Sequence, residues 1–153
     1  MYGRNFGVPT TSLRYFTVYG PRQRPDMAFT RFAQAFASGG EIEIYGDGKQ
    51  IRDFSYVDDV VDANLAAAAG TEEPGAVYNV AGGSSISVNE VLDVFRDLSP
   101  VRPRISYRPS AIGDVQRTGG STQRIRDSLA WSPAVTLHEG IARQFTWASS
   151  LVS

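Results

Sequence analysis

The sequence predicts an α/β domain, because segments with the character of strands alternate along it with segments that have the character of helices. Thr10 to Val18 and Ala76 to Val80 are rich in β-branched and aromatic residues, which is typical of strands. Between them, apolar residues recur every three or four positions, which is typical of amphipathic helices. This alternation favours the α/β class, and 153 residues are enough for a single core.

The N-terminal quarter predicts a strand followed by a helix. Residues before Gly7 have the character of the end of a helix, and Thr10 to Val18 is expected to be a buried strand that ends at Gly20-Pro21. Met27 to Ser38 carries apolar residues at helical spacing and stops at Gly39-Gly40, which predicts an amphipathic helix.

The next segment predicts two strands joined by a turn. Glu41 to Tyr45 alternates polar and apolar residues, and Gln50 to Tyr56 resumes the extended pattern after Gly46-Asp47-Gly48. We expect a hairpin or a sharply turned strand pair here, because glycine and aspartate provide the backbone conformations that such turns need.

A helix is expected from Val57 to Ala69, with two adjacent carboxylates, Asp58 and Asp59, in its first turn. Adjacent aspartates allow acid/base or metal chemistry, but the favoured interpretation is charge that complements the helix N-terminus.

The segment Gly82-Gly83-Ser84-Ser85 also has two possible interpretations. A phosphate site on its backbone amides is possible, and a plain turn is favoured because no P-loop lysine follows.

Four further elements are expected in the second half. Ser87 and Glu90 have the spacing of a capping box, which predicts a helix to about Leu98. The other elements are a short strand over Arg104 to Tyr107, a helix from Ser121 to about Trp131, and an amphipathic helix over His138 to Trp147.

Composition limits the possible functions. The net charge of -1 does not favour nucleic-acid binding, and the longest run of small apolar residues is far too short for a membrane span. Cysteine is absent, which excludes disulfides and thiolate metal sites and agrees with a cytoplasmic location. Lys49 and His138 are the only lysine and histidine, so no metal site is expected.

Five blocks of the sequence resemble the extended short-chain dehydrogenase/reductases, and within them the NAD-dependent nucleotide-sugar epimerases and dehydratases, above all the UDP-glucose 4-epimerases. The blocks occur in the family's order and run through most of the chain. They are LRYFTVYGPRQ at 13–23, IYGDGKQIRDFSYVDDV at 44–60, YNV at 78–80, GDV at 113–115 and WSP at 131–133.

The resemblance implies only the C-terminal, substrate-binding portion of an extended Rossmann-type reductase. Such a portion has a small mixed sheet with packed helices. The N-terminal dinucleotide-binding half, with its glycine-rich loop, is lacking. We therefore expect residues 1–153 to form a single domain in which the strand at about 10–18 is left over from the cofactor sheet.

No catalytic pair is expected in this chain. Tyr45 and Lys49 formally match the family's Tyr-x-x-x-Lys motif, in which the lysine lowers the pKa of the tyrosine. The intervening Gly46-Asp47-Gly48 would break a helix, so the two side chains would not share a helix face.

Four positions are carried over from the family as contacts to a nucleotide sugar. Arg52 resembles the arginine that pairs with the diphosphate, for which a planar guanidinium is well suited. Tyr45 lies where the family contacts the base, although an aromatic residue at a strand end can equally be core. Thr17 takes the place of an asparagine, and Asn79 is the weaker candidate because such residues often satisfy local backbone.

Two departures from the family pattern affect this site. Ala111 stands where the family commonly has a second phosphate-binding arginine, and Arg108 is the nearby candidate to compensate. Ser121 replaces an aspartate and can still cap a helix. Loss of one charge-assisted phosphate contact would cost about 1.5–3 kcal/mol of binding.

The expected function is the nucleotide-sugar-binding half of an NAD-dependent epimerase or dehydratase, with UDP-sugars as ligands. Whether it is an enzyme stays open, since we expect it to be non-catalytic alone and to bind no NAD by itself. The alternative is a non-catalytic nucleotide-binding or oligomerising module derived from such an enzyme. Because the strand at 10–18 would lack a neighbour, we expect a homo-oligomer or a complementing chain that supplies the cofactor domain.

Overall fold

The computed structural model describes residues 2–70, 74–110, 113 and 115–152. Within these residues the fold is α/β, with three small sheets surrounded by helices. The strands are β1 (Thr11–Tyr15), β2 (Thr17–Tyr19), β3 (Glu41–Tyr45), β4 (Ile51–Tyr56), β5 (Ala76–Val80), β6 (Ser85–Ser87) and β7 (Arg104–Arg108). The helices are α1 (Tyr2–Phe6), α2 (Ala28–Ser38), α3 (Val57–Ala69), α4 (Val88–Leu98), α5 (Gln123–Leu129) and α6 (Leu137–Ser149).

One of the three sheets is mixed, as the resemblance implied, and the other two are parallel pairs. β1 pairs with β5 and β3 pairs with β7, both in parallel. β4 lies between β2, which is parallel to it, and β6, which is antiparallel. β4 is also the most buried strand, since its last four residues are all buried.

The single buried strand predicted over Thr10 to Val18 is wrong in two respects. The chain changes partner at Phe16, so β1 pairs with β5 and β2 pairs with β4. In β1 only Leu13 is partly buried and the other four residues are exposed. β5 covers one edge of β1, and no strand in the described part of the chain covers the other.

The predicted hairpin is also wrong. β3 and β4 are consecutive strands, but they lie in different sheets and do not pair with each other. β3 instead pairs along its whole length with β7, from Glu41 opposite Arg104 to Tyr45 opposite Arg108. The turn glycines Gly46 and Gly48 have φ of 83° and 72°, which glycine adopts readily. The predicted turn is therefore confirmed, and only the pairing of the two strands is wrong.

The helices largely confirm the sequence prediction. α3 has the predicted bounds, and α4 begins with a complete capping box in which Ser87 and Glu90 each bind the other's backbone N–H. α5 is shorter than predicted. It begins at Gln123, whose backbone N–H donates to Ser121 Oγ at 3.3 Å.

Two apolar clusters form the core. The larger lies where α2, α4 and α6 pack on β4, and contains the aromatic residues Tyr19, Phe29, Phe36, Phe54 and Phe95. The smaller lies between α3, β5 and Trp131.

A buried amide joins the helices to the end of β2. Gln144 on α6 is 0% exposed, accepts the backbone N–H of Gly20 at 3.0 Å and donates to Thr30 on α2 at 3.3 Å. Because an unsatisfied buried amide is costly, this network holds β2 in one position relative to both helices.

Gly82 is required by close packing, which gives a test of the fold. A Cβ at Gly82 would lie 1.8 Å from the carbonyl oxygen of Phe54, which is backbone and cannot rotate away. We expect Gly82→Ala to lower the free energy of unfolding by at least the roughly 1–3 kcal/mol that overpacking costs.

The matched control is Gly119→Ala, whose Cβ would have Ser85 Oγ, at 3.8 Å, as its nearest neighbour. The control should change stability by less than about 0.5 kcal/mol. Urea unfolding followed by circular dichroism measures both, and equal stabilities for the two variants would contradict the packing.

Candidate functional site

A large open cleft of about 1160 Å³ lies beside the first residues of β4. Its wall combines aromatic rings, cationic side chains and exposed amides, which is the kind of lining that binds a polar ligand carrying an aromatic group. The residues that line it are Tyr45, Gly46, Asp47, Lys49, Gln50, Ile51, Tyr107, Arg108, Pro109, Ser110, Gln116 and Arg117.

A smaller cavity of about 250 Å³ lies on the other face of β4. Thr17 and Arg52 both line it, because Thr17 pairs with Phe54 and residues 52 and 54 lie on the same face of the strand. Gln50 lines both cavities, so they lie close together at the start of β4.

The four predicted contact residues are therefore divided. Thr17 and Arg52 lie together in the smaller cavity, and Tyr45 lies in the cleft with 52% of its surface exposed, which argues against a core role. Asn79 lines neither cavity. Its amide donates to the backbone carbonyl of Ser121 at 3.3 Å, which is the local backbone role that sequence reasoning left open.

The turn that carries Tyr45 into the cleft is held by α4. Asn89 donates from its side chain to the carbonyl of Asp47 and from its backbone N–H to the carbonyl of Gly48, each at 3.0 Å. Tyr107 donates to Asn89 Oδ1 at 3.3 Å. These contacts, with Tyr45 at the end of β3 and Lys49 in a loop, confirm that the two residues do not share a helix.

Arg108 lines the cleft, but its guanidinium is already bound. Its Nε and Nη2 donate to Glu43 Oε1 at 2.9 and 2.6 Å, and this hydrogen bonding raises the pKa of Arg108. Any ligand would compete with Glu43 for it. Ala111 and Asp114 lie outside the described residues.

Arg117 lines the same cleft and was missed by sequence reasoning. The segment around it pairs with β4, because Ile51 donates to the carbonyl of Gln116 at 2.8 Å and accepts from the N–H of Thr118 at 3.0 Å. No local pattern signals this pairing, since more than 60 residues separate the two segments.

Behind the site, a buried carboxylate holds the glycine turn. Asp53 is 4% exposed and accepts the backbone N–H of Gly82 at 2.8 Å. Burial raises the pKa of Asp53, and the backbone hydrogen bonds partly offset that rise. The N–H of Gly82 is thus already bound to a carboxylate oxygen, which favours the plain-turn interpretation over a phosphate site.

The aspartates at the start of α3 have structural roles. Asp59 is buried and accepts the N–H groups of Ala134 and Val135 at 2.9 and 3.3 Å, and Asp58 pairs with Arg143 at 3.5 Å. Among the described residues no cluster of three or more potential metal ligands occurs. In the same residues no helix has the length and apolar character needed to cross a bilayer.

The Gly82-Gly83 turn is a poor fit to the pyrophosphate of a dinucleotide cofactor. A pyrophosphate is usually held by free amides in a glycine-rich turn between a strand and a helix. The glycine pair here, Gly82-Gly83, follows β5, but its first amide is bound to Asp53.

Comparison with known proteins agrees with the family resemblance of the sequence. The profile of the NAD-dependent epimerase/dehydratase family matches residues 1–81. An uncharacterized UDP-glucose epimerase of Bacillus subtilis is 34% identical over 151 residues, which are 99% of this chain and 48% of the relative. A UDP-glucuronate 4-epimerase of Thermodesulfobacterium geofontis is 33% identical over 96% of this chain and 45% of its own length.

Solved structures give the same result. UDP-glucuronic acid 4-epimerase of Bacillus cereus, in complex with UDP-glucuronic acid and NAD, superposes with a TM-score of 0.92 and 34% identity over 98% of this chain and 48% of that one. UDP-glucose 4-epimerase of Thermotoga maritima, with UDP-glucose, has a TM-score of 0.90 and 32% identity over 99% and 50%. The chain thus spans about half the length of its relatives, and it matches their C-terminal half.

The role of Asp53 can be tested through pH. Burial raises the pKa of Asp53 in the folded state, so the protonated carboxyl favours folding and its ionisation opposes folding. The stability that the protonated carboxyl contributes is therefore lost as pH rises through the folded-state pKa. Asp53→Asn cannot ionise. We therefore expect the stability of wild type relative to Asp53→Asn to fall between pH 4 and pH 7 in urea unfolding.

Asp53→Ala provides the comparison, because it leaves the N–H of Gly82 without an acceptor at every pH. It should cost about 1–3 kcal/mol at both ends of the range. A wild type that gains stability over Asp53→Asn as pH rises would contradict this account.

Proposed function

Because the chain belongs to the NAD-dependent epimerase/dehydratase family, we propose that it is the nucleotide-sugar-binding half of such an enzyme and that its ligands are UDP-sugars. The relatives named for UDP-glucose and UDP-glucuronic acid support that choice of ligand. The proposed location is the cytoplasm, in keeping with the cysteine-free composition.

The observation that carries the proposal is that two cavities of different chemistry share Gln50 in their linings. The cleft offers an exposed aromatic ring, Tyr45, against which a base can stack. The smaller cavity offers the guanidinium of Arg52 and the hydroxyl of Thr17, which suit a diphosphate and a sugar hydroxyl. A nucleotide sugar bound across Gln50 would place its base against Tyr45, and its diphosphate and sugar beside Arg52 and Thr17.

We propose that this half binds and orients the ligand and does not carry out the redox step by itself. Hydride transfer requires a bound nicotinamide and a tyrosine that exchanges the hydroxyl proton. The chain has no Gly-x-x-Gly-x-x-Gly turn, and its one tyrosine-lysine match is Tyr45 and Lys49, at the end of a strand and in a loop. The complete reaction would need a cofactor domain.

A second candidate function is an interaction module, and the open edge of β1 favours it. Phe16 donates to Val80 and Gly75 donates to Thr10, so the alternation along a strand directs the backbone groups of Thr11, Leu13 and Tyr15 away from β5. Unpaired strand edges recruit other strands. The proposed partner is a second copy or a chain that carries the cofactor domain.

The ligand proposal is tested by calorimetric titration of the purified chain with UDP, UDP-glucose and NAD. We expect saturable binding of UDP and UDP-glucose and no binding of NAD. Arg52→Gln should weaken UDP binding about 10- to 100-fold, because it removes a charge-assisted phosphate contact.

Arg24→Gln is the matched control, since Arg24 is exposed, pairs with Asp26 and lines neither cavity. It should bind UDP as wild type does. Absence of UDP binding to the wild-type chain would overturn the ligand proposal and leave the interaction module as the better candidate.

The open edge of β1 predicts self-association. We expect the purified chain to form dimers or larger oligomers at micromolar concentration by light scattering, with the β1 amides protected from hydrogen exchange. Thr11→Pro removes an outward N–H and should shift the equilibrium toward monomer. A wild-type chain that is monomeric at this concentration, with the amides of residues 11–15 protected from hydrogen exchange, would contradict the prediction of self-association.

A further inference from the structure

Arg117 is bridged to Ile51, the neighbour of Arg52 on β4, although positions 117 and 52 are 65 apart in the sequence. The carbonyl of Gln116 and the N–H of Thr118 both bind Ile51, so the backbone of Arg117 is fixed against the first residue of β4. Residues that pair across parallel strands project from the same face, and successive residues of one strand project from opposite faces. Arg117 therefore shares a face with Ile51, and Arg52 projects from the other.

The cavities agree with this geometry. Ile51 and Arg117 line the large cleft, Arg52 lines the smaller cavity, and Gln50 lines both. Each of the two cavities that share Gln50 is thus lined by one of these arginines.

The other cations of the cleft are less suited to a ligand. Arg108 is bound through two nitrogens to Glu43. Lys49 is 81% exposed in its side chain and lies 4.0 Å from a carboxylate oxygen of Asp47. Arg117 makes no ion pair with any carboxylate in the part of the chain that the structure describes.

We infer that Arg117 is a second anion-binding residue of the site, so that a nucleoside diphosphate crossing the start of β4 is held by Arg52 from one face and by Arg117 from the other. This inference rests on the proposed function and names a specificity residue within it. It assigns to Arg117 the phosphate contact that is lost with alanine at position 111, which Arg108 cannot supply without giving up Glu43.

The physical basis is the planar guanidinium, which offers several donors in a fixed arrangement that matches phosphate oxygens. Because the backbone of Arg117 is already fixed by two hydrogen bonds, only side-chain freedom is lost on binding. Arg117 should therefore distinguish ligands that carry phosphate from those that do not.

The test is calorimetric titration of wild type, Arg117→Gln, Arg117→Lys and the control Arg24→Gln with UDP, UMP and uridine. We expect Arg117→Gln to weaken UDP binding about 10- to 100-fold and to leave uridine binding unchanged. Arg117→Lys should recover part of the loss, and Arg24→Gln, which lies outside both cavities, should change UDP binding less than about threefold. Since Arg117 is exposed, thermal unfolding of its variants should match that of wild type.

A second readout applies even if uridine binds too weakly to measure. UDP affinity should fall with salt, and the Arg117→Gln variant should show a shallower dependence because it has one fewer cation at the anion. Unchanged salt dependence would overturn the inference.

The outcomes separate the two proposals. UDP binding that is weakened by Arg52→Gln but unchanged by Arg117→Gln overturns the role of Arg117 and leaves the proposed function standing. Equal weakening of UDP and uridine by Arg117→Gln indicates a structural role and also overturns it. If wild type binds no UDP, both proposals fail.

Discussion

The buried carboxylate of Asp53 is the contact on which the site depends. It lies on β4 between Arg52 and Phe54, is almost fully buried, and binds the amide of the Gly82 turn. A charged group in such a position is costly unless it is hydrogen-bonded, so the turn and the strand are obliged to stay together. Gly82 in turn packs so closely on the Phe54 carbonyl that only glycine fits there.

With β4 held in this way, each of its two faces can carry a different surface. One face presents Arg52 beside Thr17, and the other presents Ile51 beside Arg117. The cavities lie on opposite faces of β4, and Gln50, just before the strand begins at Ile51, lines both of them. The chemistry available to a ligand therefore changes along its length, which is the requirement for recognising a molecule with a base at one end and phosphates further along.

Local interactions could be predicted from the sequence, and distant pairings could not. The capping box at Ser87 and the bounds of α3 follow from residues close together in the chain, and the structure confirms them. The partner of β3 is β7, about 60 residues away, so glycine-rich turn chemistry at 46–48 suggested a hairpin that does not form. Arg117 was missed for the same reason, because its position comes from a bridge to Ile51.

The distribution of burial separates the support of the cavities from the open edge of β1. The contacts that shape both cavities come from this chain, through β4, the Asn89-held turn and the segment around Arg117. Their rigidity is supplied by the aromatic core under α2, α4 and α6, which does not involve β1. β1 is instead exposed and linked to the rest mainly through β5 and α3. Because the open edge of β1 lies away from the core that supports the cavities, a strand that pairs with β1 would leave the supports of both cavities in place.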